Sequence, residues 1–465
     1  MKHGWISLLL VVLIALSAGP VAAQETTPEQ PVYIVQPGDT LWDIAARFGV
    51  DYGELAAANG LGADSLIYPG VELIIPGLEG ITGTLTTQEV AFGETLASLS
   101  RRYAVPVEVL ARLNRITSPS EVYAGMSLVL PLSEQTPEPG PRLSLAPGQS
   151  LLELAVLNDA NPYTLAAVNA QANPSTILPG QVLRLPSREG VTDPGPGALP
   201  PEIAAVGITD FTQGQTSVIR LDGVPGLSLS GSLMGHPLNF FPLPEGGYAA
   251  LQGVHAMAEP GTYPLTLEGS LPDGAQFGFT QLVRVYAGDF LYDLPLYVDP
   301  ETLDPAVTGP ENELWDSLVE PATADRLWDG LFSSPVDAAY ADCWTSQFGS
   351  RRSYNDSEYI YFHTGLDYCG QVGHPIYAPA PGVVVYTGEL VVRGNATVID
   401  HGWGIYTAYM HQSEIQVQVG DQVTTGQLIG LVGDTGRVAG PHLHFEVWAG
   451  GVQVNPLEWM TQEYP

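Results

Sequence analysis

Near its C-terminus the sequence runs Gly440-Pro441-His442-Leu443-His444-Phe445-Glu446-Val447-Trp448, and upstream stand His363-Thr364-Gly365-Leu366-Asp367 and Tyr409-Met410-His411. Histidines and a carboxylate gathered this way suit a hydrolytic metal site. Zinc in such sites takes three nitrogen or oxygen ligands and keeps a fourth position for water. Six of the nine histidines lie beyond residue 360, so the chemistry is expected in the last quarter of the chain.

The elements that position these groups follow from periodicity. Read as a strand, residues 441–447 place Leu443, Phe445 and Val447 on one face and His442, His444 and Glu446 on the other. His363 and Asp367 are four residues apart, a spacing that a helix and a strand both align, but Gly365 between them disfavours a helix. The ligands are therefore expected to project from strands into an open groove. The helical His-Glu-x-x-His motif of another metalloprotease class is absent from the sequence. Residues 383–386, 397–400 and 405–409 also read as strands, with glycines at the turns. The glycines between 433 and 440 are not followed by the lysine and helix that a phosphate cradle needs.

With 465 residues the chain has room for three or more domains. Fifty acidic residues face 16 basic ones, for a net charge of -34, and Lys2 is the only lysine. That balance argues against nucleic acid or an anionic membrane surface as partner. Lys2, the apolar residues 5–18 and Pro20-Val21-Ala22-Ala23 form the pattern of a secretory signal over 1–23. No cysteine follows for lipid attachment, and no later stretch is long and apolar enough to span a bilayer. The mature protein is expected outside the cytoplasm, secreted or in the cell envelope. The two cysteines, Cys343 and Cys369, then suggest one disulfide. It would close a loop of about 27 residues, worth about 3.5 kcal/mol. Cys369 lies two residues past Asp367, on the same strand face, which leaves it open as a further ligand.

Pro-rich polar stretches at 24–31, 133–141 and 187–202 read as linkers. Between them runs a repeat of about 50 residues. Its copies carry Val35-Gln36-Pro37-Gly38-Asp39-Thr40-Leu41-Trp42, Phe92-Gly93-Glu94-Thr95-Leu96 and Pro147-Gly148-Gln149-Ser150-Leu151, and each ends in a short apolar strand closed by Pro76, Pro131 or Pro186. Each copy reads strand, helix, helix, strand. Thr40 with Asp43 and Ser150 with Glu153 are placed as N-caps. Leu41, Ile44, Ala45 and Phe48 follow helical spacing, and Asn59, Asn114 and Asn169 fall where the second helices end. These copies, over 32–77, 84–132 and a divergent 141–187, resemble LysM modules, small α+β units that bind glycans containing N-acetylglucosamine. The resemblance places a glycan groove between Gly38, Asp39, Thr40 and Leu41 on one side and a loop starting near Asn59 on the other.

Short alternating runs over 203–290 predict a β-sandwich. His236 and His255 there stand apart from any metal-binding pattern. Residues 291–335 read as a helical linker, with Leu314, Leu318, Leu327 and Leu331 at helical spacing and Pro321 as an interruption.

The last region, 336–465, resembles the lysostaphin/LytM-type zinc endopeptidases. The resemblance rests on Phe348-Gly349-Ser350-Arg351, His363 to Asp367, Ala378-Pro379-Ala380-Pro381-Gly382, Tyr409-Met410-His411 and Gly440 to Glu446. It implies a mostly antiparallel β domain that binds zinc through His363, Asp367 and His444. It further implies His442 as general base and His411 as the group that orients or stabilises the reacting centre. A tyrosine near the first ligand is implied too, with Tyr359 and Tyr361 both open. His401 in Asp400-His401-Gly402 matches a structural position, His374 reads as a loop residue, and the preceding sandwich resembles an immunoglobulin-like domain. The expected whole is a multidomain, monomeric, exported peptidoglycan endopeptidase anchored by LysM modules, with no membrane span. The competing expectation is a catalytically silent wall binder that activates another hydrolase.

Overall fold

Thr40 and Ser150 start helices as their capping patterns require: their hydroxyls accept from the N–H of Asp43 and Glu153, each at 3.1 Å. The computed structural model describes residues 31–465 except 63–64, 79, 82, 133–139, 147, 171–179 and 189, so the expected signal segment lies outside the described residues. The chain divides into two units, 1–85 and 86–465.

In the first unit the strands Val32–Ile34 and Glu72–Ile74 pair antiparallel beside the helices Leu41–Phe48 and Tyr52–Ala58. The expected face Leu41, Ile44, Ala45 and Phe48 is buried. The second repeat carries helices Leu96–Tyr103 and Val107–Leu113, and the third Leu151–Leu157 and Pro162–Val168. In the third, the strands Arg142–Ser144 and Val182–Arg184 pair antiparallel.

The asparagine at the end of each second helix does more than cap. Asn59 Nδ2 donates to the carbonyls of Leu55 and Ile74, both at 2.8 Å, and its Oδ1 accepts from the N–H of Ile74 at 2.7 Å. Asn114 repeats this with Leu110 and Val129, and Asn169 with Leu165 and Arg184. One side chain thus clamps a helix end to the returning strand in all three copies.

The stretch 187–202, expected as a linker, is instead a packed strap. Arg142 pairs with Asp193 at 2.8 Å and donates to the carbonyls of Pro196 and Leu199. Arg184 donates to the carbonyls of Gly140, Asp193 and Gly195. Buried guanidinium groups satisfy the backbone that Pro and Gly leave without regular partners, and Leu199 is fully buried.

Residues 203–286 form two sheets. One orders Phe241–Pro242, Tyr248–Gly253, Thr216–Gly223 and Ile203–Ile208; the other orders His236–Asn239, Ser228–Leu233, Gly261–Ser270 and Gln276–Tyr286. Their shared core includes Ile219, Leu221, Leu233, Leu265, Leu267 and Val283.

The segment 291–335 is not a linker and only partly a helix. Its helix Pro305–Val319 buries Glu311, Trp315 and Val319, while Leu327 and Leu331 are 37% and 46% exposed. Trp315 packs with Ala396, Val398, Tyr406 and Trp448 of the C-terminal domain, and Glu311 pairs with Arg393 at 3.2 Å. The helix ends two residues before Pro321, which cannot supply the needed N–H. Trp328 and Phe332 then enter the C-terminal core without helical geometry.

The C-terminal sheet orders Trp344–Ser346, Leu366–Cys369, His442–Ala449, Ile405–Ile415, Gly394–Gly402, Gly382–Leu390 and Gln422–Val423, all antiparallel. Leu366, Tyr368, Leu443, Phe445 and Val447 are buried in its core. Phe241, Leu243, Ala249 and Leu251 of the middle region share that core. Cys343 and Cys369 form a disulfide with Cα atoms 5.4 Å apart, which removes Cys369 from the ligand candidates. Among the described residues no helix is long and apolar enough to cross a membrane.

Candidate metal centre

Alternation along two neighbouring strands builds the site. On the Leu366–Cys369 and His442–Ala449 strands, Leu366 faces Phe445 and Asp367 faces His444. The core side is apolar and the other side is polar. Gly365 lets His363 reach the same point: a Cβ there would lie 2.3 Å from the Phe445 carbonyl oxygen and 2.9 Å from His444 Nε2.

His363 Nε2 lies 2.9 Å from Asp367 Oδ1 and 3.0 Å from His444 Nδ1, and the last two atoms are 2.8 Å apart. One donor atom from each residue thus converges on a common point, in a geometry that could hold a metal ion. The outer nitrogens fix which lone pairs point inward. His363 Nδ1 lies 2.9 Å from the Gln347 carbonyl, which only accepts, so this nitrogen carries the proton and Nε2 the lone pair. His444 Nε2 lies 3.1 Å from Glu446 Oε1, which likewise leaves Nδ1 facing inward. Trp448 Nε1 donates to the other oxygen of Glu446 at 2.8 Å.

Electrostatics agree with a cation site. Burial would raise the Asp367 carboxyl, but His363 and His444 hold it well below its usual value, so it is ionised. Burial pushes His363 down to about 4. Burial also opposes charge on His444, yet hydrogen bonds to Asp367 and Glu446 raise it to about 9. Without a cation, one proton on His444 balances the carboxylate.

The two remaining histidines flank this point. His411 Nδ1 donates to the Thr435 carbonyl at 2.8 Å and His442 Nδ1 to the Gly440 carbonyl at 2.8 Å, so both turn an Nε2 lone pair elsewhere. Their rings are 5.0 Å apart, and His442 Nε2 is 3.6 Å from Asp367 Oδ1. Burial and the neighbouring His444 and His442 push His411 down to about 3, which leaves it neutral at pH 7. His411 also sits at φ 61, a left-handed conformation uncommon outside glycine and enriched at functional sites. His442 keeps 16% of its side chain exposed, whereas His363 keeps none. Solvent therefore reaches the cluster beside His442.

Sequence reasoning named all five of these residues but assigned no role to three of their supports. Glu446 orients His444, and its signal was a lone acid between Phe445 and Val447 on the polar face. The Gln347 carbonyl has no side-chain signal at all. Arg352 Nη2 lies 3.2 Å from Asp367 Oδ2 and its Nε 3.2 Å from Asp293 Oδ2, a tie between distant segments that spacing does not reveal. Tyr359 donates to the Asp293 carbonyl and Tyr361 lies on a strand edge near Tyr354; neither has a hydrogen bond to the cluster among the described residues. His401, buried between the Pro381 carbonyl and Thr407, is pushed down to about 4 by burial and stays apart from the cluster. Of the expected glycan residues, Gly38 and Thr40 are exposed. Asp39 is tied to Tyr33 at 2.6 Å and Arg47 at 3.1 Å, Leu41 is core, and both amide protons of Asn59 go to backbone carbonyls.

Comparison with known proteins agrees with this division. Residues 33–76, 89–131 and 145–186 match the LysM domain, and residues 361–456 match peptidase family M23. The chain thus combines LysM domains with a C-terminal peptidase family M23 domain. The peptidoglycan DD-endopeptidase ShyA of Vibrio cholerae is 41% identical over 134 residues, 29% of this chain and 31% of that protein. The DD-carboxypeptidase/endopeptidase Mpg of Neisseria meningitidis is 44% identical over 95 residues, 20% of this chain and 22% of that protein. The solved catalytic domain of lysostaphin from Staphylococcus simulans is 32% identical with a TM-score of 0.21, covering 22% of this chain and 80% of that one. The chain spans about three-tenths of the length of the Vibrio endopeptidases ShyA and ShyB.

Proposed function

We propose that this chain is an exported zinc endopeptidase that hydrolyses peptide cross-links of peptidoglycan while LysM modules hold the glycan. The observation that carries the reading is the convergence of His363 Nε2, Asp367 Oδ1 and His444 Nδ1, with both imidazole lone pairs aimed inward. Two neutral imidazoles and an ionised carboxylate fit zinc in type and number and leave a position open. Bound there, zinc would acidify a water and polarise a carbonyl.

The protein's own groups do the rest. His442 Nε2 has a lone pair and solvent access, so it accepts a proton from the attacking water and passes it to the departing amine nitrogen. His411, neutral and with its only N–H committed to Thr435, acts as an acceptor that orients the water. Of the two expected roles, orienting or stabilising the reacting centre, this favours orienting, because stabilising an oxyanion needs a donor. Glu446 and the Gln347 carbonyl hold the two ligand imidazoles in the required tautomers.

The substrate class is supported by the LysM matches and by relatives named as peptidoglycan endopeptidases. Tethering to glycan raises the enzyme's local concentration at the wall. The Cys343–Cys369 disulfide suits an exported protein. The test is incubation of the full chain with purified peptidoglycan, with and without a chelator, followed by mass spectrometry of the products. New amino and carboxyl ends in the peptide stems, lost with the chelator, are expected. Intact stems, or cleavage indifferent to the chelator, would refute the reading.

A further inference from the structure

The three repeats differ in what covers the Gly-x-Thr/Ser loop. Gly38 and Thr40 of the first repeat, and Gly148 and Ser150 of the third, are exposed. In the second repeat Gly93 is buried and Glu94 is 1% exposed. Phe92 belongs to the core of the two-sheet middle region, with its ring 5.4 Å from that of Phe279. A Cβ on Gly93 would stand 2.7 Å from the Leu199 side chain, which shows how closely the strap lies on the loop.

The polar contacts are equally specific. Gln281 Oε1 accepts from the Gly93 N–H at 2.8 Å, and Gln281 Nε2 donates to the Glu94 carbonyl at 3.0 Å. On the other rim of the same module, Tyr123–Ala124 joins the middle region's sheet as a parallel strand beside Leu282 and Val283. Both loops that would border a glycan in this module are therefore engaged by one strand, Gln276–Tyr286.

We propose that the second module reads no glycan: its sugar-facing loops form the docking surface for the middle region, and the Gln281 carboxamide supplies the amide that an N-acetylated sugar would otherwise bring. Glycan contact then falls to the first and third modules. This rests on the proposed reading of the modules as glycan binders. A sugar amide offers the loop the same pair of hydrogen bonds as Gln281 but no replacement for Phe92 packing or the strand pairing, so it cannot displace them. The second module is thereby a fixed part of the middle region's surface.

Hydrogen–deuterium exchange on the full chain, with and without chitotetraose, tests this. In the free protein, residues 93–96 should exchange slowly and residues 38–41 fast. Chitotetraose should slow exchange at 38–41 and leave 93–96 unchanged. Gln281→Ala should speed exchange at Gly93 roughly tenfold in a chain that stays folded, as loss of one buried hydrogen bond predicts. Fast exchange at 93–96 in the free protein, or slowing there on adding the sugar, overturns the proposal. Protection at 93–96 with no sugar response anywhere supports the docking and counts against the glycan-anchoring reading instead.

Discussion

Asp367 and His444 stand directly opposite each other on antiparallel strands, with Oδ1 2.8 Å from Nδ1. Their meeting is a matter of register. A slip of one residue would bring Leu443 or Phe445 to that position and turn His444 toward the apolar core. The buried set Leu366, Tyr368, Leu443, Phe445 and Val447 forbids that slip, so the core specifies the candidate metal site.

His444→Ala should remove most bound zinc from the full chain, because two ligands hold zinc poorly. Elemental analysis after dialysis should give about one zinc per wild-type chain and a small fraction of that for the variant. Equal metal content would mean that His444 is not a ligand.

Glu446→Gln should weaken zinc binding about 10- to 100-fold without unfolding the domain, since Glu446 orients His444 without touching the ion. Competition with a chromogenic chelator measures this. An unchanged affinity would show that the Thr364 hydroxyl, 3.3 Å from His444 Nε2, holds the ring well enough alone.

His442→Ala should keep zinc and lower kcat by about 10²- to 10⁴-fold, the usual share of general-base catalysis. His411→Ala should also lower kcat. A His411 variant that lost more than the His442 variant would exchange the two roles.

The share of stability that Glu458 contributes should fall as pH rises from about 4.5 to 8. Burial pushes Glu458, which accepts from the Thr216 N–H at 2.7 Å, up from its usual 4.5 to about 8. Between those values the folded chain keeps a proton that the unfolded chain releases, so the stabilisation is complete below the lower value and lost on passing the upper one. The denaturation midpoint of the wild type measured against that of Glu458→Gln, which keeps an acceptor for Thr216 and shares the buried histidines, should drop between pH 5 and pH 8.

Deleting residues 32–83 should spare cleavage of a soluble cross-linked peptide and slow digestion of intact wall several-fold. Removing all three repeats is a worse test, because Phe92 belongs to the middle region's core. Wall binding should persist in high salt, since an acidic protein on a neutral sugar gains little from charge. Equal digestion rates for the deleted and intact chains would make the first repeat a spacer.

Part of the site was legible because strand alternation is local: spacing alone put His442, His444 and Glu446 on one face, while the union of Asp367 and His363 with them came from the family resemblance. Their supports were not, since the Gln347 carbonyl and Arg352 reach the cluster only through tertiary folding. Composition misled at 187–202, where Pro and Gly suggested a loose chain but Arg142 binds the Pro196 carbonyl and Arg184 those of Asp193 and Gly195. Periodicity misled at 311–332, where four leucines suggested the buried face and Glu311, Trp315 and Val319 form it. Buried Glu311 is met by the Val392 N–H and the Arg393 guanidinium, partners 81 and 82 residues away.

The asparagine clamp acts as a ruler. In every repeat the clamping asparagine and the strand residue it grips are 15 positions apart. What lies between them can differ in sequence, as it does across the three copies, but a residue added or lost would pull the strand out of the amide's grasp. These inter-clamp stretches therefore keep a fixed length while their sequences vary. A substitution there should be tolerated far better than a single insertion, which leaves chemistry free to vary, down to the strand pairing of Tyr123–Ala124 in the second copy, while the frame stays constant.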